Sequence, residues 1–267
     1  MKYAADIEKR YFSNAPLGLS IERSVEAKLY PLYDLKKPVL DIGCGEGLFA
    51  NIVFDEKIET GIDPNPTELK RANELGGYNE LLECYGNNIP KPDGSFQTII
   101  SNSVLEHIEN VDEIFAEAYR VLKPGGCFYL TVPSDKFEQY TFLSQLLQFL
   151  RLTKLEKYWR TLFNNFWVHY HCYTPDEWAN IGEKFGFEVE ASYAYCSKRV
   201  CMLNTFVAPF GLFSMIIKKI FNKWVFFPKL RILLLTPFLG LINKLIIGAE
   251  KDDNGGLVFV ALKKPLK

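Results

Sequence analysis

Apolar positions recur along this chain with two periods. Short runs rich in β-branched residues alternate with stretches whose apolar residues return every three or four positions. That is the pattern of βαβ units around a mainly parallel sheet. Residues 1–37 read as short helices, and Pro38 then leads into a first strand at Val39–Ile42. Further strands are expected over 58–62, 81–85, 96–101, 127–132, 187–195 and 257–262. Helices are expected after Gly47 and over 67–75, 111–122 and 175–185. Amphipathic helices over 135–168 would lie across the sheet. The helix over 111–122 has to stop at Lys123-Pro124-Gly125-Gly126, where proline and glycine cannot continue it. The outcome is an α/β chain with a seven-stranded, mainly parallel sheet and helices on both faces.

One stretch departs from this rhythm. Between the last two strands, residues 200–217 run eighteen positions without a charge, interrupted by Pro209 and Gly211. A shorter apolar run over 232–243 holds Pro237 and Gly240. The formal net charge is only −1, yet no Asp or Glu occurs between Ala191 and Ala249. Lys198, Arg199, Lys218, Lys219, Lys223, Lys229, Arg231 and Lys244 all fall there, so the rest of the chain is acidic. Phe221, Trp224, Phe226 and Phe227 cluster among these lysines. Apolar insertion, interfacial aromatics and cations facing anionic head groups together describe a peripheral membrane contact through 200–249. A transmembrane hairpin fits less well, because the second run is short and the lysines would cross to the wrong side. The alternatives left open are a helical pair in the core or across a dimer. The organisation read from sequence is a helical cap over 1–37, a core domain over 38–199 and 255–267, and a hydrophobic, basic insertion over 200–254.

Length and composition narrow the class. At 267 residues one large domain with an insertion can bury a substantial core, and 48% hydrophobic with 24% charged residues excludes a disordered or fibrous chain. Six cysteines, Cys44, Cys84, Cys127, Cys172, Cys196 and Cys201, form no C-x-x-C pair, so neither a zinc site nor a disulfide framework is expected. A reducing, cytoplasmic setting follows, at the inner face of the membrane if the insertion docks there. The start, MKYAADIEKRYF, carries charges where a secretion signal needs an apolar run. Nucleic acid is not an expected partner, since the basic residues are interleaved with apolar runs and not with polar ones.

The candidate chemistry begins at Asp41-Ile42-Gly43-Cys44-Gly45-Glu46-Gly47, directly after the first strand and before a helix. Glycines there allow a tight turn and a close backbone approach to a ligand, and the following helix offers unpaired N–H groups. Asp63 ends the second strand sixteen residues after Gly47, where a carboxylate can accept both hydroxyls of a ribose. Leu48 follows Gly47, so the last glycine of the dinucleotide fingerprint is missing. A nucleoside without a pyrophosphate is therefore favoured over a nicotinamide dinucleotide.

The sequence resembles the class I, Rossmann-like S-adenosylmethionine-dependent methyltransferases, in particular the small-molecule group. Four stretches carry the resemblance: VLDIGCGEG (residues 39–47), GIDP (61–64), IPKPDGSFQTIISNSVLEHI (89–108) and RVLKPGG (120–126). It covers roughly 39–186 and returns at the last strand. The resemblance implies S-adenosyl-L-methionine as cofactor, with Asp41, Gly43, Cys44, Gly45 and Gly47 holding its amino-acid end and Asp63 with Pro64 its ribose. Asn102 and Ser103 would face the sulfonium. Two positions depart from the family pattern. Tyr85 stands where an Asp commonly meets the adenine amine, which leaves Gly86 or Asn87 to supply that contact, and Gln97 replaces the usual Asp of the fourth strand. No Asn-Pro-Pro-Tyr motif follows that strand, which argues against adenine and glutamine N-methylation.

A sulfonium donor is already activated, so the protein chiefly aligns acceptor, methyl and sulfur. An oxygen acceptor also gains from a general base. His169 and His171, in WVHYHCYTPDEW, are the catalytic candidates, because imidazole suits proton removal near neutrality and the resemblance places this region beside the acceptor. The other reading is backbone bonding at a helix entrance, with Thr174 and Glu177 as a capping box. His107 reads as structural. Glu106 and His107 are similar to part of a metal-binding E-x-x-E-H motif, but Ser103 stands in place of its first carboxylate, and no metal is expected. The expected activity is methyl transfer, to oxygen before nitrogen or carbon, onto a small or lipid-linked acceptor. A silent nucleoside-binding module at a membrane and a nicotinamide-dependent oxidoreductase are the alternatives.

Overall fold

In the computed structural model, which describes residues 1–266, seven strands form one sheet. They are β1 (Val39–Ile42), β2 (Ile58–Asp63), β3 (Tyr78–Glu83), β4 (Phe96–Asn102), β5 (Leu122–Pro133), β6 (Glu188–Tyr195) and β7 (Leu257–Lys263), ordered β3-β2-β1-β4-β5-β7-β6. The first five pair in parallel, and β7 alone runs antiparallel, between β5 and β6. Every residue of β1 is buried, as are six of the seven in β7, which is why these strands read as continuous apolar runs.

One face of the sheet is covered by α5 (Val111–Val121) and α8 (Pro175–Lys184), with Phe115, Phe128 and Trp178 fully buried between them. Helix α8 starts where the sequence places it: Thr174 Oγ1 accepts from the Glu177 amide, and Glu177 reaches back to the Thr174 amide at 2.8 Å. The other face is covered by α1 (Ile7–Asn14), α2 (Leu17–Glu26), α3 (Leu48–Val53) and α4 (Pro66–Leu75), with Tyr11, Phe12, Ile21 and Val25 in its core. Asn65 caps α4 by accepting from the Thr67 and Glu68 amides, and Pro66 occupies the first turn, where no amide is needed.

Several expectations shift. The third strand is Tyr78–Glu83, not 81–85, because Gly76 ends α4 in the left-handed region and the chain re-enters the sheet at Tyr78, opposite Ile58. Tyr85 lies beyond it and is exposed. The Pro-Gly-Gly stop ends α5 but falls inside β5 as an irregularity, Leu122 pairing with Phe96 and Cys127 with Thr98. The amphipathic helices of 135–168 are α6 (Phe142–Phe149) and α7 (Thr153–Trp167), and they do not lie on the sheet. They pack on each other, on a 3-10 turn at Glu138–Tyr140 and on α9 (Lys198–Val207), since α1, α2 and α9 already occupy that face.

The expected boundary at residue 200 falls within α9. Val200 and Cys201 are buried, and Asn204 Nδ2 donates to Glu22 Oε2 at 2.6 Å, so α9 belongs to the core beside α2. A 3-10 turn at Ala208–Phe210 then leads into α10 (Gly211–Phe221), which buries no residue, and α11 (Pro228–Ile246), which buries only Leu239 and Ile246.

Candidate functional site

Strands β1, β2 and β4 are parallel, so their carboxyl ends lie on one edge of the sheet, and the loops leaving them form a common rim. The glycine loop is pinned there by the Gly43 and Cys44 amides, both 2.9 Å from the Ile62 carbonyl. A Cβ on Gly43 would lie 2.5 Å from Val104, in addition to the cost of its φ of +75°. At Gly45, also left-handed, a Cβ would meet nothing within 4 Å, which leaves open space where the resemblance puts the ligand. Asp63 Oδ2 accepts from the Gly45 amide at 3.0 Å and its Oδ1 from the Asn65 amide at 2.8 Å. Each oxygen keeps a further lone pair, so the carboxylate is held rigidly and can still accept a ribose diol. Pro64, next to it, is exposed.

Asp41 is 2% exposed and accepts a 2.6 Å bond from Tyr78 Oη. Burial raises its carboxyl from the ordinary 3.8 to about 7, against the Tyr78 bond and with help from the Asp63 charge. It lines a cavity of about 150 Å³ together with Gly43, Cys44, Glu46, Asn102 and Arg23. Arg23 is the residue that sequence reasoning missed. It comes from α2, where its Nη1 lies 2.6 Å from Glu26 Oε2 and also meets Asn102 Oδ1. Asn102 Nδ2 donates to Glu26 and to Tyr30 Oη, and Tyr195 Oη donates to Glu26 Oε2 at 3.0 Å. Burial opposes the Arg23 charge, but Glu26 and Glu22 outweigh it and hold the guanidinium protonated. The side chain of Asn102 thus ties the end of β4 to α2. The amide of Ser103, in the left-handed region at φ +51°, bonds the Thr131 carbonyl at 2.8 Å.

Where the resemblance places the adenine, side chains define the surface less. A Cβ on Gly86 would stand 3.0 Å from Ile42, so the chain passes close over β1 there. Asn87 is exposed, and its Nδ2 donates to Glu113 Oε2 at 2.6 Å, directing the amide toward α5 and away from the cavity. Gly86 and Asn87 are not among the residues of the Asp41 cavity.

The structure separates the two candidate histidines. His169 lies tilted against His107, ring centroids 5.3 Å apart, with Phe137 and Phe163 beside it, and its Nδ1 is buried with no partner. Burial and the His107 charge lower it from 6.5 to about 4, so the imidazole is neutral at physiological pH and able to accept a proton. Glu106, on the 3-10 turn Leu105–His107 just past β4, is 2% exposed with Oε2 unpartnered. Burial raises its carboxyl from 4.5 to about 8. One ligand atom from each of Glu106, His107 and His169 lies within 4.8 Å of the others, a carboxylate and two imidazoles that could hold a divalent cation. His171 points elsewhere. Its Nε2 is 3.1 Å from the Glu109 carbonyl, in a separate groove with Asp112, Tyr173 and Glu177.

The insertion also meets this rim. Lys218 and Trp224, expected to face lipid, turn inward. Trp224 Nε1 donates to Glu46 Oε1, and Lys218 Nζ stands 3.1 Å from Glu46 Oε2 and 4.3 Å from the Trp224 ring centroid. Of the other cations in the segment, Lys219, Lys223 and Lys229 are exposed.

Comparison with known proteins agrees with this geometry. The family model described as a methyltransferase domain matches residues 20–192. A probable S-adenosylmethionine-dependent methyltransferase of Mycolicibacterium smegmatis is 32% identical over 101 residues, 37% of this chain and 38% of that protein. The 24-methylenesterol C-methyltransferase 2 of Arabidopsis thaliana is 34% identical over 110 residues, 38% of this chain and 30% of that protein. The aligned stretch thus spans well under half the length of either relative. A Thermotoga maritima S-adenosylmethionine-dependent methyltransferase, described as a possible histamine N-methyltransferase, superposes with a TM-score of 0.57 at 16% identity, covering 96% of this chain and 93% of that one. That likeness establishes the fold, the Rossmann-like methyltransferase sheet. The chain therefore belongs to the methyltransferase-domain family, and its cofactor is S-adenosylmethionine.

Proposed function

We propose that this chain transfers a methyl group from S-adenosylmethionine to an oxygen of a small or lipid-linked acceptor at the cytoplasmic surface of a membrane. The observation that carries the membrane part is the outer face of the insertion. Phe206, Phe210, Phe213, Ile216 and Ile220 are exposed from α9 into α10, and Leu233, Leu234, Phe238 and Leu241 along α11. Phe142 packs on Phe206 with centroids 4.9 Å apart, so the exposed apolar residues of α6, Leu143, Leu146 and Phe149, adjoin the same region. So much exposed apolar surface, on a stretch of chain that carries cations and no acids of its own, matches an anionic bilayer interface. The segment Lys198–Phe221 is long and apolar enough to cross a membrane by length and composition. A span would require pulling Val200 and Cys201 out of the core and breaking the Asn204–Glu22 bond, which favours a surface-lying helix pair.

The oxygen preference rests on His169, a neutral imidazole with a free buried nitrogen, whose ring lies within 4.8 Å of Glu106 on the turn just past β4. The sterol substrate in the name of the Arabidopsis relative is in keeping with an apolar acceptor. Cosedimentation with phosphatidylcholine vesicles, with and without phosphatidylglycerol, tests the membrane reading. Near an anionic surface each cation contributes about 1 kcal/mol, so replacing Lys219, Lys223 and Lys229 by Glu should weaken binding by at least ~100-fold. A wild-type protein that stays monodisperse without detergent and ignores anionic vesicles would mean that these faces pack against a second subunit. A transfer screen on quinones, glycolipids and sugars tests the acceptor class, and methylation of nitrogen or carbon alone would overturn the oxygen assignment.

A further inference from the structure

The contacts between the insertion and the cofactor rim are polar, paired and confined to one place. Both oxygens of Glu46, between two glycines of the cofactor loop, are taken by the insertion: Oε1 by the Trp224 indole and Oε2 by Lys218. Lys218 also lies 3.5 Å from Glu68 Oε2 on α4. At the end of α10, Asn222 accepts from Arg71 Nε and donates to Glu74 Oε2 at 3.0 Å, again on α4. Asn222 is itself in the left-handed region, ending α10 and turning the chain toward the rim. Helix α10 buries no residue, so its position depends on these contacts and on its continuity with α9, not on a core of its own. The side chains of Lys218 and Glu46 are only 16% and 17% exposed, which leaves this lysine unavailable to a lipid phosphate while the contacts hold.

We propose that Lys218 and Trp224 form a latch on Glu46, and that an anionic lipid surface releases it and so opens the cofactor cavity. The inference rests on the membrane-docking reading above. In the latched arrangement the cavity that Glu46 lines with Asp41 has a volume of about 150 Å³, below the ~300–1,000 Å³ of pockets that enclose a small molecule. A ligand of nucleoside–amino acid size favours the arrangement in which Glu46 has moved. Anionic head groups favour that arrangement too, because they compete with Glu46 for Lys218 and offer the Trp224 ring an interfacial position. Two ligands that prefer the same state reinforce each other by equal factors, so lipid tightens cofactor binding and cofactor tightens lipid binding.

The test is calorimetric titration of the full chain with S-adenosylhomocysteine, in buffer and with phosphatidylcholine or mixed phosphatidylcholine–phosphatidylglycerol vesicles, each sample also spun down. Wild type should bind about tenfold more tightly with anionic vesicles than without, within the range of ordinary coupling, and neutral vesicles should have no effect. Lys218→Gln and Trp224→Phe each remove one arm of the latch while keeping bulk. Both should bind in plain buffer nearly as tightly as vesicle-bound wild type, with little further gain from vesicles. Sedimentation with unchanged cofactor affinity overturns the coupling and leaves docking intact. Failure to sediment overturns docking, and the two variants in plain buffer still decide whether the latch closes the cavity. Weaker cofactor binding by both variants would show that these residues support the site instead of closing it, and would overturn the proposal.

Discussion

Replacing Arg23 by methionine gives the sharpest test of how the N-terminal helices build the cofactor site. The side chain is 13% exposed and that of Glu26 is wholly buried, with 2.6 Å between Nη1 and Oε2. Methionine keeps much of the length and removes the charge, leaving Glu26 buried against Glu22 with no cation between them. Breaking a buried pair from one side costs about 3–5 kcal/mol. At roughly 2–4 °C per kcal/mol for a domain of this size, the melting temperature should fall by roughly 6–20 °C. The deficit should also depend on pH. Burial already holds Glu26 above its ordinary value with Arg23 opposing it, and loss of Arg23 raises it further. A carboxyl whose folded value exceeds its unfolded one contributes fully below the unfolded value, and that contribution is lost as pH rises through the folded one. Thermal unfolding should therefore show a larger deficit at about pH 8 than at about pH 5. Adding Glu26→Gln to the methionine variant should recover most of the loss, since it removes the stranded charge. A pH-independent change, or no recovery in the double variant, would refute the reasoning.

His169→Ala should lower turnover by about 10²–10⁴-fold and leave cofactor affinity unchanged, whereas His171→Ala, altering a ring bonded to the Glu109 carbonyl in a separate groove, should do neither. With His169 held near 4, the rate should show no imidazole titration around neutrality and fall only as pH approaches about 4; a limb near 6.5 would contradict this assignment. Glu106→Gln should gain stability over wild type progressively as pH rises from 4.5 toward about 8, because the buried carboxyl loses its contribution across that window. Equal melting temperatures throughout would mean that a partner, such as a cation shared with His107 and His169, satisfies the ionised carboxylate.

The parts of this protein legible in the sequence are those with a short-range cause. β1 ends where Asp41-Ile42-Gly43 ends a buried apolar run, α8 begins at its capping box, and Asp63 stops β2, because periodicity, capping and turn chemistry act over a few residues. What sequence did not reveal depends on contacts between distant segments. Arg23 sits in an ordinary-looking helix, and only packing of α2 against β4 makes it a wall of the cavity beside Asp41. Lys218 and Trp224 carry the composition of a lipid-facing segment, yet Glu46, far away in the chain, captures both. His169 and His171 are two positions apart but turn to different sides, since Tyr170 and His171 both bond the Glu106 carbonyl through their amides and fix the local backbone. No spacing rule distinguishes one histidine from the other.

Calorimetric titration of wild type and Asp63→Ala with S-adenosylmethionine decides whether Asp63 and the glycine loop hold this cofactor. Asp63 is fixed by the Gly45 and Asn65 amides with lone pairs left for a ribose. Each charge-assisted bond it makes to a hydroxyl is worth about 1.5–3 kcal/mol, so the alanine variant should bind at least ~10-fold more weakly. Unchanged affinity in the variant, or tighter binding of a nicotinamide dinucleotide than of S-adenosylmethionine by the wild type, would show that this edge of the sheet does not hold S-adenosylmethionine through Asp63.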